Sequence, residues 1–521
     1  MRIGKAAVVL PVLAVGLLLN YAVPPFQNPD EPIHLAMILR FARGEARADA
    51  DSAEIVRLLE RYDWWRFTGM RRPEKTPASL EEIPFLIQNY QVEDAGVLLN
   101  NVVAYHYAMG KLVRLFGGEG GDGAAGPNGI LKAYYLVRLT SLLFFAAALL
   151  FAYLTFRRFR GELAYGFFFV LFLPQLVVNS IGVNPDAAIL LLGSVFFWAA
   201  FALIGGEVKD KAVFAYFAAL CLAPAAAVVL DKSAFLMLPL GALVFVFYMT
   251  RRNYQDVIVW MLLLSIVFIL SVYFLSLAFP LKMETAVLFL KGMFDRAKTS
   301  VGSVFAFSDV NRRFFALFID SFFLRFGWKA FGAGRVVDWI WRILVLAAGV
   351  GVGLWWARLL WRKFIDRVKR VNAEMAAKKS GDGRAFIDGV EAGAGTAGEP
   401  VDSKAAPPEV PKAPIKDGRP TRLWRIVLFS LVALAVQTLA VRLAVAPDVM
   451  YAQGRYLFPF IIPAAFLFVL GLKSLFDLFG RRGTLALKVT LAAMFVFLSY
   501  VLWGLVVPVF RLTMKSPFPG I

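Results

Sequence analysis

The chain has 521 residues, of which 59% are hydrophobic, 15% aromatic and 18% charged, with a formal net charge of +19. A mean hydropathy of +0.66 over this length excludes a soluble enzyme and describes an all-α, polytopic integral membrane protein. The basic excess sits largely in loops between apolar segments, where it sets topology and meets anionic membrane lipid, so no nucleic-acid partner is expected.

Arg2 and Lys5 precede the first apolar segment, 6–23. The positive-inside rule puts the N-terminus in the cytoplasm, and without a small-x-small cleavage site the segment reads as an uncleaved helix. Windows of about 20 residues place further spans near 133–156, 163–183, 187–205, 212–230, 234–250, 257–279, 337–360, 424–446, 457–476 and 485–507. The total is about eleven transmembrane helices. The basic clusters around Arg157, Lys209, Arg251, Arg362 and Arg481 then all fall inside, so the chain reads as a multi-pass protein of the cytoplasmic (inner) membrane. The lone cysteine, Cys221, lies within a span, where it packs and cannot form an intrachain disulfide.

Three long segments lie between spans. The first external loop, 24–132, mixes acids and apolar residues at helical spacing and contains Trp64-Trp65. It reads as interfacial helices with tryptophan at the headgroup level. Its Gly117-Gly118-Glu119-Gly120-Gly121 run is a flexible connection, because no strand-to-helix context makes it a phosphate cradle. The second external loop, 281–335, is basic against the positive-inside tendency, with Lys282, Lys291 and Arg296 among its cations, and such an exception points to use. The third segment, 361–423, is cytoplasmic, and its Ala-, Gly- and Pro-rich part is too poor in large apolar residues to fold. It separates an N-terminal membrane part, 1–360, expected to be catalytic, from a three-helix membrane part, 424–521.

Chemistry concentrates where the first span ends. Asp30 and Glu31 are bracketed by Pro29 and Pro32, which restrict the backbone and fix how the two acids are presented. A carboxylate at a membrane face, within reach of a hydroxyl, serves as a general base. His34, one turn on, is a hydrogen-bond partner or third ligand: Asp30, Glu31 and His34, with Asp186, would form a hard site for a divalent metal, Mg or Mn. The competing structural reading is that Asp30 caps the next helix and Glu31 complements its dipole. Asn184-Pro185-Asp186, Asp231-Lys232 and Gln453-Gly454-Arg455-Tyr456 all reach the same external face as Asp30. There Arg455 offers a fork of donors suited to phosphate and Lys232 a point charge.

The order Pro25-x-x-x-Pro29-Asp30-Glu31-Pro32-x-His34, Asn184-Pro185-Asp186, Phe326-Gly327-Trp328 and Gln453-Gly454-Arg455-Tyr456-Leu457-Phe458-Pro459 resembles a bacterial membrane family catalogued as domain of unknown function 2142. That family in turn resembles the GT-C glycosyltransferases, including protein O-mannosyltransferases and aminoarabinose transferases. The resemblance implies a GT-C-like fold and transfer, with inversion, from a polyprenyl-phosphate-linked sugar to a glycan, lipid or protein acceptor. It implies Asp30 as base assisted by Glu31 and, by motif order, Arg455 on the donor phosphate; the residues themselves place Lys232 and Tyr456 beside Arg455 there, with Asp186, Asn184, Gln453 and Trp328 lining the cavity. The first loop lacks the Asp-x-Asp pattern of metal-dependent oligosaccharyltransferases.

Two other classes fit a polytopic chain: a transporter or flippase of lipid-linked glycan, and a non-catalytic envelope scaffold. Transporters are built from internal repeats and broken helices at the midplane, and the sequence shows no repeat. The zinc-protease pattern is absent, since it needs two histidines one turn apart, and His106 in Tyr105-His106-Tyr107 reads as interfacial packing.

Overall fold

The computed structural model describes residues 14–20, 22–28, 30–44, 47–65, 72–83, 103–116, 126–159, 161–206, 208, 210–230, 234, 236–249, 309–323, 325–326, 331–332, 334–379, 420–444 and 454–506. Within these residues the regular secondary structure is helical apart from one two-residue antiparallel ladder, in which Arg325 pairs with Gly332 and Phe326 with Phe331. The predicted span at 257–279 lies outside the described residues, as do the Gly-rich run and most of 6–23; its 14–20 portion is helical.

After the 14–20 portion, the described α-helices in chain order begin with α1 (Glu31–Arg43), α2 (Ala48–Arg61), α3 (Val103–Phe116) and α4 (Pro127–Phe156). After a 3₁₀ turn at Gly161–Tyr165 come α5 (Gly166–Leu171), α6 (Pro174–Asn179), α7 (Asp186–Gly205), α8 (Asp210–Leu230) and α9 (Met237–Met249). Beyond these lie α10 (Asp309–Phe323), α11 (Arg335–Lys379), α12 (Pro420–Ala444), a 3₁₀ helix at Gly454–Phe460, α13 (Ile461–Phe476) and α14 (Arg481–Ser499). Seven helices among the described residues are long and apolar enough to cross a membrane: Pro127–Phe156, Asp186–Gly205, Ala212–Leu230, Arg335–Ala376, Leu423–Arg442, Gly454–Phe479 and Arg482–Ser499. The chain is a multi-pass α-helical membrane protein, because each such helix satisfies its own backbone in a solvent that offers no hydrogen bonds.

The expected single span at 163–183 is instead broken into the 3₁₀ turn, α5 and α6. Pro174 is the cause. It lacks an N–H and forces the preceding residue out of the helical region, and Leu173 sits at φ −85°, ψ 105°. A second departure concerns α11, which runs to Lys379, well past the boundary expected at 360 and into the stretch read as unfolded. Hydropathy stops at the first charges, whereas the Ala, Lys, Arg and Glu that follow are good helix formers.

Two large cores and a small third cluster organise the described residues. The larger is the membrane core, where Phe169, Phe197, Phe201, Phe460, Phe466 and Phe468 are buried together. Here helices meet at glycines: a Cβ on Gly351 of α11 would overlap Gly471 of α13, and one on Gly193 of α7 would overlap Pro459. Such close approach is how helices associate in lipid, where burying apolar surface gains nothing. The second core joins α1, α2 and α3 to the first turns of α4 through Leu35, Ile38, Leu39, Ile55, Leu59, Met109 and Tyr134. Trp64 and Trp65 are buried in it, so the reading of Trp64-Trp65 as headgroup anchors is corrected. They complete a helical subdomain, and Trp65 Nε1 donates to Glu60 at 2.8 Å.

Candidate functional site

The turn before α1 is held from below by a buried charge pair. Arg138, on α4, is wholly inaccessible and donates to the carbonyls of Asn20 (3.2 Å), Val23 (2.8 Å) and Pro24 (3.1 Å). These are backbone acceptors at the end of the first apolar segment, where a helix leaves carbonyls without partners. The same guanidinium reaches Glu31 Oε1 at 3.4 Å. Glu31, also 0% exposed, accepts from Tyr134 Oη (2.9 Å), the Val183 amide (2.9 Å), the Asn28 amide (3.1 Å) and Asn28 Nδ2 (3.3 Å). A carboxylate saturated by donors and closed to solvent ties three segments together. Glu31 is therefore a scaffold for the turn and not an assisting base, which corrects that expectation.

Asp30 does the opposite. It occupies the residue before α1 at φ 66°, ψ 2°, a left-handed conformation, and its side chain makes no capping bond. The capping reading is thereby corrected. Phe26, in the same turn, is also left-handed at φ 68°; its amide donates to Tyr134 Oη at 3.0 Å and its ring packs on Tyr134. Left-handed backbone at a bulky residue costs about 1–3 kcal/mol, and such positions cluster at functional sites. The rigid Tyr134–Glu31–Arg138 support holds this turn so that the Asp30 carboxylate faces another part of the chain.

That part is Arg455. Its Nη2 lies 3.0 Å from Asp30 Oδ2, and Nη1 lies 3.6 Å from Asp186 Oδ2. Asp186 opens α7, and its amide donates to Asn184 Oδ1 at 3.1 Å, a side-chain turn that fixes where the carboxylate starts. Arg455 is positioned by Gly454, whose amide donates to Ser321 Oγ of α10 at 2.7 Å. A Cβ at Gly454 would overlap the Phe322 backbone, so only glycine lets this turn approach α10. The guanidinium carbon also sits 5.9 Å from the centre of the Tyr456 ring, and Tyr456 packs beside the buried pair Phe314 and Phe318. All three ionic side chains are partly accessible, at 13 to 16%, so one cation and two anions meet at the helix ends.

His34 turns away from both acids toward His106, with Nδ1 and Nε2 at 2.8 Å and the rings stacked. Burial, with the Arg455 charge nearby, lowers the His34 pKa to about 3, so it is neutral at physiological pH. His106 is a buried partner and not an interfacial residue, which corrects that reading. Asp30 is bound to Arg455, Glu31 is saturated by donors and His34 is paired with His106, so each of the three side chains is engaged by a different partner. Among the described residues no group of three His, Cys, Asp or Glu side chains is placed to hold a metal.

Of the remaining expected site residues, Asn184 is buried behind Asp186, while Lys232, Gln453 and Trp328 lie outside the described residues. Sequence reading overlooked Arg138 and Tyr134. Arg138 carried a usable signal, since a charge inside an apolar span is expensive and must have a partner; Tyr134 carried none. Comparison with protein-family models, with curated proteins and with solved structures finds no match for the chain.

Proposed function

We propose that the chain is a GT-C-type glycosyltransferase of the inner membrane that uses a polyprenyl-phosphate-linked sugar at its extracytoplasmic face. The observation that supports this reading is the bridge from Arg455 to Asp30 and Asp186, formed by residues from three distant segments at the ends of apolar helices. A guanidinium between two carboxylates is a site an anionic donor can enter by exchange, because phosphate competes for the same fork of donors. Donor binding draws Arg455 toward phosphate and frees Asp30.

The reaction then balances simply. Asp30 removes the proton of an acceptor hydroxyl, the acceptor oxygen bonds to the anomeric carbon with inversion, and the anomeric carbon–oxygen bond to phosphate breaks. Polyprenyl phosphate leaves on Arg455. Asp186 is the second carboxylate of the site and fixes the resting position of Arg455. Acceptors of the class are a glycan, a lipid or a protein hydroxyl.

The helix break at Phe172–Leu173 is the feature that favours a transporter or flippase instead. Its surroundings weigh against that reading, since Phe168, Phe169, Phe172, Phe468 and Phe495 pack there and no ion pair among the described residues lies beside it. The discriminating experiment supplies wild-type protein in liposomes with a panel of polyprenyl-phosphate sugars and hydroxyl acceptors. A product of inverted anomeric configuration supports the transferase; movement of labelled lipid across the bilayer with no product would replace it with the flippase.

A further inference from the structure

The first turns of α11 carry charges that the Asp30–Arg455 contact does not use. Asp320 of α10 is 5% exposed and accepts from Arg342 Nε at 2.9 Å and from Arg342 Nη2 at 2.6 Å, a bidentate pair that ties α10 to α11. The next residue, Ser321, accepts from the Gly454 amide, so this pair and Arg455 lie at one face of the membrane.

Beside the pair is a cavity of about 290 Å³ lined by Asp320, Arg335, Asp338, Trp339 and Arg342, room for a small polar group and little more. Arg335 is exposed and forms no ion pair among the described residues, although Asp338 is only three positions on. At about 100° per residue, Arg335, Asp338 and Arg342 fall within about 60° of one another on α11, and from the first to the last the helix rises about 10 Å. Next to them around the helix runs an apolar stripe in which Val336, Ile340, Ile343 and Leu346 are 51 to 73% exposed, the side that a membrane helix turns to acyl chains. Trp339, also exposed, falls at the boundary, as indoles do at the headgroup level. A charged cavity therefore borders a lipid-facing surface.

The charges select the occupant. Two cations and two carboxylates sum to zero, so a net anion gains little from them, whereas a zwitterion finds a partner for each of its ends. Arg342 gives Nε and Nη2 to Asp320, which leaves Nη1, with Arg335, to donate to a phosphodiester. Asp338, within one or two turns of both arginines, accepts hydrogen bonds from a primary ammonium, and a quaternary ammonium has none to donate. A quaternary cation is held by aromatic faces, but among the described lining residues Trp339 is the one ring, and the Arg342 guanidinium already sits over it at 5.4 Å.

We propose that this cavity binds the headgroup of a membrane phospholipid that carries a phosphodiester and a primary ammonium. The phosphate sits on Arg335 and Arg342, the ammonium on Asp338, and the acyl chains run along Ile343 and Leu346. The site stands apart from the transfer chemistry, so it holds whether or not the chain moves sugar.

The test titrates the full-length, delipidated protein in detergent with phosphatidylethanolamine, phosphatidylcholine and phosphatidylglycerol of identical acyl chains, and with soluble phosphoethanolamine, and counts retained molecules by native mass spectrometry. One phosphatidylethanolamine per chain should be retained about tenfold more tightly than either other lipid or the soluble headgroup. Asp338→Asn should bring phosphatidylethanolamine down to the level of phosphatidylcholine, and Arg335→Ala should weaken every lipid, with melting temperature checking that both variants fold. Equal affinity of wild type for the three lipids overturns the proposal without recourse to a variant, and so does a preference that survives Asp338→Asn. Tighter phosphatidylglycerol would show a plain anion site, and soluble phosphoethanolamine bound as tightly as the lipid would show a solute site; either result also overturns it.

Discussion

Arg455 Nη2 lies 3.0 Å from Asp30 Oδ2 across a sequence separation of 425 residues, and this contact joins two distant segments of the chain. If the guanidinium exchanges carboxylate for donor phosphate, its fork geometry matters as well as its charge. Arg455→Lys should keep the fold and raise the donor KM by about tenfold or more, since a lysine cannot bind two oxygens in a plane. An unchanged KM with reduced kcat would assign Arg455 to the chemical step and not to donor binding.

Gly454 gives an independent handle on the same residue. Because any side chain there meets the Phe322 backbone, Gly454→Ala should move the Arg455 turn away from α10. The cost is about 1–3 kcal/mol of overpacking. Donor use should fall as in Arg455→Lys while the acceptor KM holds. Equal loss for donor and acceptor would mean that the whole site has collapsed.

Glu31 and Arg138 are both inaccessible and paired. Removing one partner strands the other charge, so Glu31→Gln should destabilise by about 3–5 kcal/mol. Adding Arg138→Met to it should recover part of the loss, a coupling that neighbouring sites show and distant ones do not. Thermal unfolding in one detergent across the three variants measures this. Additive losses would show that the pair is not a unit.

The His34–His106 contact predicts a direction with pH. With a pKa lowered to about 3 in the folded protein against 6.5 when unfolded, the unfolded chain binds the extra proton between those values. The contribution of His34 is complete above pH 6.5 and is lost as pH falls toward 3. The slope is at most about 1.4 kcal/mol per pH unit for one proton. Melting temperature should therefore drop on acidification from pH 7 to 5, and His34→Gln should flatten that dependence. A steeper drop in the variant would contradict the shift.

Much of the fold was legible because lipid imposes it: a chain that must satisfy its backbone internally shows its spans as apolar runs, and α7, α8 and α12 lie close to where hydropathy placed them. Asp30, Asp186 and Arg455 were legible as costly polar residues at span ends. Their meeting was not, because no local pattern encodes contact between distant segments. The break at Pro174 was masked by uninterrupted apolarity on both sides. Trp64 and Trp65 misled because amphipathic helices with tryptophan look alike whether they lie on lipid or pack on a subdomain. Arg138 stood out as a charge inside an apolar span, but its partners did not, since three of them are backbone carbonyls that any residues would supply.

The most direct test of the central claim compares wild type with Asp30→Asn in the same liposomes, following transfer of radiolabelled sugar from the best polyprenyl-phosphate donor. Asp30→Asn keeps the size of the side chain and removes the base, so the account predicts folded protein that binds donor at least as tightly as wild type but with turnover reduced about 10²–10⁴-fold. Turnover at the wild-type rate in that variant would contradict the assignment of Asp30 as the base.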